Sequence, residues 1–134
     1  MAGPVTFKRI RLELARTREH PAGSPLDGYE FVAPLDATDH IDVEAWRANR
    51  DRCRVRRFRV GEPDEIGHLV HKSGGGRARW AFHYDIRDAD ADPDDDESGY
   101  RFGEHAFVPG EYVSIRDEDG EMHTFQVVSV EPAT

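Results

Sequence analysis

Residues 65–85, EIGHLVHKSGGGRARWAFHYD, decide how the rest of the chain is read. Trp80, Phe82 and Tyr84 alternate with Arg79, Ala81, His83 and Asp85. Successive side chains of a strand point to opposite faces, so large aromatics at every second position mark a half-buried strand. The segment before the glycines carries Ile66, Leu69 and Val70 and reads as its hairpin partner. Turn length then sets the register, and a slip of one residue exchanges the faces. A two-residue turn at Gly74 and Gly75 places Leu69 opposite Trp80 and His68 opposite Ala81. A three-residue turn at Gly74, Gly75 and Gly76 places Val70 opposite Trp80, Ile66 opposite Tyr84 and His68 beside Phe82. The three-residue turn is the preferred reading, because it sets two aliphatic side chains against two aromatic rings.

Composition bounds what surrounds this hairpin. A chain of 134 residues is expected to form a single domain over residues 1–134, large enough to bury roughly two-thirds of its unfolded surface. With 37% hydrophobic and 34% charged residues, the core must be lean and the loops polar. Twelve glycines and eight prolines without a fixed period imply many turns and short strands. The net charge of −9 disfavours generic binding to nucleic acid or anionic lipid. One cysteine, Cys53, allows no internal disulfide and suits a reducing compartment. The first residues carry no apolar run of signal-peptide or membrane-spanning length, so a cytoplasmic protein with no membrane association is the expectation.

Along the chain, residues 5–15 read as a first strand, with Ile10, Leu12 and Leu14 alternating with Arg9, Arg11 and Glu13. Val5 and Phe7 fall on the other parity, which a bulge near Lys8 and Arg9 would accommodate. Residues 16–27 are a loop and residues 29–35 a short strand. A helix follows, capped by Asp39 or Asp42, with Glu44 in its first turn and Val43 and Trp46 on one face. Residues 53–60 return to strand composition. Residues 86–99, IRDADADPDDDESG, offer almost nothing to bury and are expected to be a flexible acidic loop. Short strand fragments at 100–102 and 106–108 precede a last hairpin of 112–116 with 122–130. A four-residue loop there sets Ile115 opposite Met122, Tyr112 opposite Phe125 and Arg116 opposite Glu121. The expected fold is mainly β: a small antiparallel barrel or curled sheet of seven to eight short strands with one short helix. A β-sandwich is the alternative.

Seven arginines crowd residues 47–59 against a single acid, Asp51. With Trp46 and Phe58 interleaved, Arg54, Arg56, Arg57 and Arg59 are candidates for a phosphate or nucleic-acid surface, since guanidinium forks match phosphate and aromatics stack on bases. The simpler account is that these charges are answered within the chain or a dimer, because residues 85–97 hold eight acids and one arginine. The alternating aspartates of that segment do not make an EF-hand loop. In the frame starting at Asp88, the sixth and twelfth positions are Pro93 and Gly99, where the site needs glycine and glutamate.

The histidines offer the other chemistry. His83 and Asp85 share a strand face, and His71 joins it in the preferred register, which gives His71, His83 and Asp85 as a candidate metal or general-base cluster, with His105 or His123 brought in from elsewhere. Solvent-facing strand histidines without any such role are the common alternative. His68 and His71, three apart, point to opposite faces. No nucleophile motif is present; the arginines beside Cys53 would lower its pKa, yet a small buried thiol is the usual fate. The triple glycine lacks a following lysine and helix, so it is a turn rather than a phosphate loop.

The segments RWAFHYD at 79–85 and FVPGEYVSIRDEDGEMHTFQVVSV at 107–130 resemble a group of small bacterial proteins with β-barrel folds and no assigned activity. The resemblance implies a barrel and carries over no functional residue. The sequence thus points to a binding or interaction module, its partner a protein or a second copy of itself. The alternative is a metal-dependent enzyme built on His71, His83 and Asp85. No cofactor is indicated.

Overall fold

Strand β1 (Thr6–Leu14) shows the rule on which the fold is built. Ile10, Leu12 and Leu14 are buried while Arg9, Arg11 and Glu13 stay at the surface, so the strand has one inner and one outer face. The computed structural model describes residues 4–18, 21–72, 79–85, 97–100, 102–117 and 120–133. Strands β2 (Ser24–Leu35), β3 (Arg54–Arg59), β4 (Glu62–Lys72), β5 (Arg79–Tyr84), β6 (Glu97–Tyr100), β7 (Tyr112–Arg116) and β8 (Met122–Pro132) repeat it. Each pairs antiparallel with the next, and β8 returns to β1, which closes an eight-stranded up-and-down barrel with no open sheet edge.

One end of the barrel is covered. Helix α1 (Val43–Ala48) crosses it between β2 and β3, started by Asp42, whose carboxylate accepts from the Ala45 N–H at 2.8 Å. The helix exists to deliver Trp46, which is buried against Trp80 and donates its indole N–H to the Leu69 carbonyl at 2.8 Å. A 3-10 turn (Phe102–Glu104) between β6 and β7 brings Phe102, and Phe107 follows; both are fully buried. From there a chain of rings runs along the lumen: Phe102, Phe31, Phe82, Tyr29 and Phe125 follow one another at centroid distances of 6.2, 5.2, 5.1 and 5.1 Å. The interior is a packed core.

Both hairpin registers differ by one residue from the sequence expectation. In the central hairpin His71 lies opposite Trp80, Leu69 opposite Phe82, Gly67 opposite Tyr84 and His68 opposite His83. Ile66 and Val70 therefore stand on the outer face, with Ile66 40% exposed, and not against the aromatic rings. The cause lies at Gly67, opposite Tyr84, where β4 approaches the β5 backbone too closely for a side chain. At Gly67 even a Cβ would lie 2.1 Å from the His83 carbonyl oxygen. The glycine turn itself lies outside the described residues.

In the last hairpin Ile115 faces His123, Tyr112 faces Gln126 and Arg116 faces Met122. The loop is one residue longer than expected. Asp117 closes it by accepting the Glu121 N–H at 2.9 Å, and Gly120 takes a positive φ of 83°. This register buries Phe125 and Val127 beside Val113 and Ile115, whereas the expected one would have turned Met122 and Thr124 inward.

Two further boundaries move. Glu97, Ser98 and Gly99, read as the end of the acidic loop, belong to β6; residues 86–96 of that loop lie outside the described residues. The segment 106–108 is not a strand, and the register shift of β1 falls between Arg11 and Leu12 against β8 rather than at Lys8 and Arg9.

These contacts set two expected stabilities, both measurable by urea unfolding. Phe82→Ala should cost about 3–5 kcal/mol, the range for a buried aromatic truncated in a packed core. Gly67→Ala in an ordinary strand would stabilise by roughly 0.5–1 kcal/mol. Here it should destabilise, because the added carbon meets backbone.

Candidate functional site

The arginine run divides by strand parity. Arg54 and Arg56 point outward from β3, and Arg57 and Arg59 point inward at the end of the barrel opposite α1.

On the outer face, Arg56 pairs with Asp64 at 3.1 Å and Glu30 at 3.6 Å, and Arg9 and Arg11 reach the same Glu30 at 3.8 and 3.5 Å. Arg54 binds Asp85 at 3.0 Å and touches His68 Nε2 at 3.1 Å, while His68 Nδ1 lies 3.1 Å from the other Asp85 oxygen. A guanidinium can only donate, so Nε2 accepts and Nδ1 carries the proton. In this ring of three contacts His68 bridges the guanidinium and the carboxylate. Between these groups lies a shallow depression of about 210 Å³, walled by Arg9, Arg54, Arg56 and Glu30 and floored by Val32 and Ile66.

The remaining arginines of the run also find partners within the chain. Arg47 binds Glu44 at 2.7 Å, Arg50 lies 4.9 Å from the Trp46 ring and Arg52 3.9 Å from the Phe7 ring. Among the described residues, the acids that answer β3 come mostly from β2 and β4, with Asp85 and Glu97 flanking the acidic segment. Trp46, expected to interleave with the arginines as a stacking surface, is instead buried at the covered end.

The structure separates the three candidate metal ligands. His83 and Asp85 are on the outer face, opposite and beside His68. His71 is on the inner face at the covered end, with its ring 4.5 Å from Trp80 and 5.9 Å from Trp46. Burial there, aided by the Arg47 charge, holds His71 below the ordinary histidine pKa and keeps it neutral. Among the described residues one other set has metal-ligand spacing: Asp117, Glu121 and His123 at the β7–β8 turn, their ligand atoms within 4.8 Å of one another. Those atoms already close the turn, with His123 Nε2 2.8 Å from Asp117 Oδ2.

The inward arginines meet a group that the sequence reading did not find. Glu97, 2% exposed, extends its carboxylate into the lumen at the end opposite α1. Tyr29 donates its hydroxyl to Oε2 at 2.8 Å and Tyr84 donates to Oε1. Arg59 lies 3.6 Å from Oε2. Arg57, 7% exposed, stacks 4.5 Å over the Tyr29 ring and donates to Asp27 at 2.5 Å and to the Gly28 and Phe58 carbonyls at 3.0 and 2.8 Å. Burial first, then the Glu97 charge, raise both tyrosines well above the ordinary value. The signal was present: Tyr29 stands at a core parity position where phenylalanine would fill the same space, and Arg57 shares parity with buried Val55. Glu97 was hidden by the acidic run before it.

Cys53 is fully buried, and burial outweighs neighbouring Arg52, pushing the thiol up to about 11.

No family model matches the chain, no curated protein is similar to it, and no solved structure matches its fold.

Two outcomes follow from these environments. Cys53 should resist a thiol reagent at pH 8 in the native protein and react at the free-thiol rate once unfolded, read by a colorimetric thiol assay. Alkaline stability should fall for a stated reason. Below pH ~10 the tyrosines are neutral in both states and their contribution is complete. Above it the unfolded chain's tyrosines ionise while Tyr29 and Tyr84 stay protonated, so each lowers stability by up to about 1.4 kcal/mol per pH unit. Tyr84→Phe should be less stable at pH 7 yet lose stability less steeply between pH 10 and 11.5; an unchanged slope would refute this origin.

Proposed function

We propose that this protein is a binding module whose working surface is the outer face of β1 to β4, and that it recognises a protein segment carrying acidic and apolar side chains together. The observation that carries the reading is the depression itself. Three guanidiniums surround an aliphatic floor on a face that is otherwise charged. The filled lumen supports the same conclusion from the other side, because a packed interior leaves a ligand only the ends and the outer surface.

The arginines lining the depression are held by exposed ion pairs: Arg9, Arg54 and Arg56 are 40–49% exposed and their partners Glu30, Asp64 and Asp85 29–42%. Pairs of this kind are worth roughly 0–1 kcal/mol, so a partner's carboxylate can replace the cis one at little cost. Ile66 supplies the apolar contact that gives such an exchange a net gain. A nucleic-acid ligand is the weaker fit, since the buried Trp46 offers no stacking face and the net charge is −9.

The test is a chemical-shift titration of the labelled protein with a blocked hexapeptide alternating leucine and glutamate, alongside single- and double-stranded oligonucleotides over a salt series. The peptide should perturb Arg9, Arg54, Arg56, Ile66 and His68. The double variant Arg54→Glu/Arg56→Glu should weaken it at least about tenfold, ~1.4 kcal/mol. Perturbations scattered over the barrel, or affinity unchanged in the double variant, would refute the surface; tight salt-dependent oligonucleotide binding would replace the protein partner by a nucleic acid.

A further inference from the structure

We infer that Tyr29, Tyr84, Arg57 and Arg59 form a receptor for one carboxylate group at the end of the barrel opposite α1, that Glu97 fills it in cis, and that a small carboxylate from solution takes the same place in exchange with Glu97.

The argument starts from what holds the group. A buried carboxylate must have its lone pairs satisfied by donors. Here each oxygen has a separate tyrosine hydroxyl, one from β2 and one from β5; Arg59 of β3 lies 3.6 Å from one oxygen, and Arg57 stacks on the Tyr29 ring. Nothing in that arrangement requires the carboxylate to belong to Glu97, since only its two oxygens are engaged. The receptor also has more donor capacity than Glu97 uses. Among the described residues, the Nε groups of Arg57 and Arg59 are buried and have no acceptor. A buried donor without an acceptor is uncommon in folded proteins and marks a place where a further oxygen would be favourable.

Exchange is the second part. Arg59 is held to Glu97 by charge alone, at 3.6 Å, and a third of its side chain remains exposed, as does that of Asp27 beside Arg57. The site therefore communicates with solvent along Arg59 and Asp27. Among the described residues, Glu97 is paired across the sheet on one side alone, to Phe82 of β5, and the ladder to β7 begins at Ser98. A free carboxylate competes against the high local concentration of the tethered one, so the wild-type protein should need much more of it.

The experiment uses acetate as the probe, with chloride at matched ionic strength as control. In full-length Glu97→Ala, acetate should raise the thermal midpoint saturably, as expected for a ligand bound only by the folded state, and chloride should not. Adding Tyr84→Phe to that variant should remove most of the effect. In the wild-type protein, acetate should shift the ring signals of Tyr29 and Tyr84 in the same direction, at concentrations at least about tenfold higher, as cis competition demands. If Glu97→Ala does not fold unaided, its refolding in acetate but not in chloride gives the same answer, and failure in both overturns the receptor. An acetate effect equal to that of chloride, or one that survives Tyr84→Phe, also overturns it. Absence of any wild-type shift up to molar acetate overturns the exchange and leaves Glu97 a permanent structural ligand.

Discussion

Closing eight strands into a barrel fixes the volume inside it, and most of this structure follows from how that volume is filled. The lumen of an eight-stranded barrel is about as wide as the side chains that line it. Once Tyr29, Phe31, Phe82 and Phe125 enter, the strands opposite must supply small groups. At Gly99 a Cβ would come within 2.4 Å of the Phe102 ring, and Gly67, opposite Tyr84, lies directly against the β5 backbone. Register is set by this fit between large and small residues more than by the number of apolar contacts a pairing collects. The same constraint moves function outward, to the outer face and the end of the barrel opposite α1.

That constraint separates what could be read in the sequence from what could not. The inner face of β1 was legible from Ile10, Leu12 and Leu14, the face of β5 from its aromatics, and the helix start from Asp42, because each is a local pattern. Neither hairpin offset was legible. Pairing Ile66 and Val70 with aromatic rings is the better local choice, and it fails because the close approach of β4 to the β5 backbone requires glycine, not isoleucine, opposite Tyr84. His71 then changes face, and its association with His83 and Asp85 goes with it. Glu97 was lost differently: eight acids in thirteen residues suggest solvation, and only the barrel closure shows that the last of them is drawn inside.

The mouth group links strands that the sheet does not. Tyr29 on β2 and Glu97 on β6 are four strands apart around the barrel, and their hydrogen bond spans the lumen. Sheet hydrogen bonds fix each strand to its neighbours; this contact fixes opposite walls to each other. Burying a carboxylate has a desolvation cost that an apolar replacement would avoid. What the polar group adds is directional: each oxygen is matched to one hydroxyl, so a misplaced β6 would leave a buried charge without donors. Phenylalanines at the same positions would tolerate such a slip.

One run of arginines thus serves two purposes, divided by the two-residue period of the strand that carries them. Outward from β3, Arg56 covers the Phe58 ring at 5.1 Å together with Arg11 at 4.5 Å, so even the outward aromatic is shielded by guanidiniums and excluded from free surface. These outer charges sit in water and exchange partners readily. Inward, Arg57 is anchored by two backbone carbonyls and Asp27, and its charge acts in a setting where screening by solvent is weak. A net count of charges over residues 47–59 cannot distinguish the two. Parity can, and it makes them separable in practice: reversing Arg54 and Arg56 alters what the outer face attracts without removing a donor from the carboxylate at the mouth.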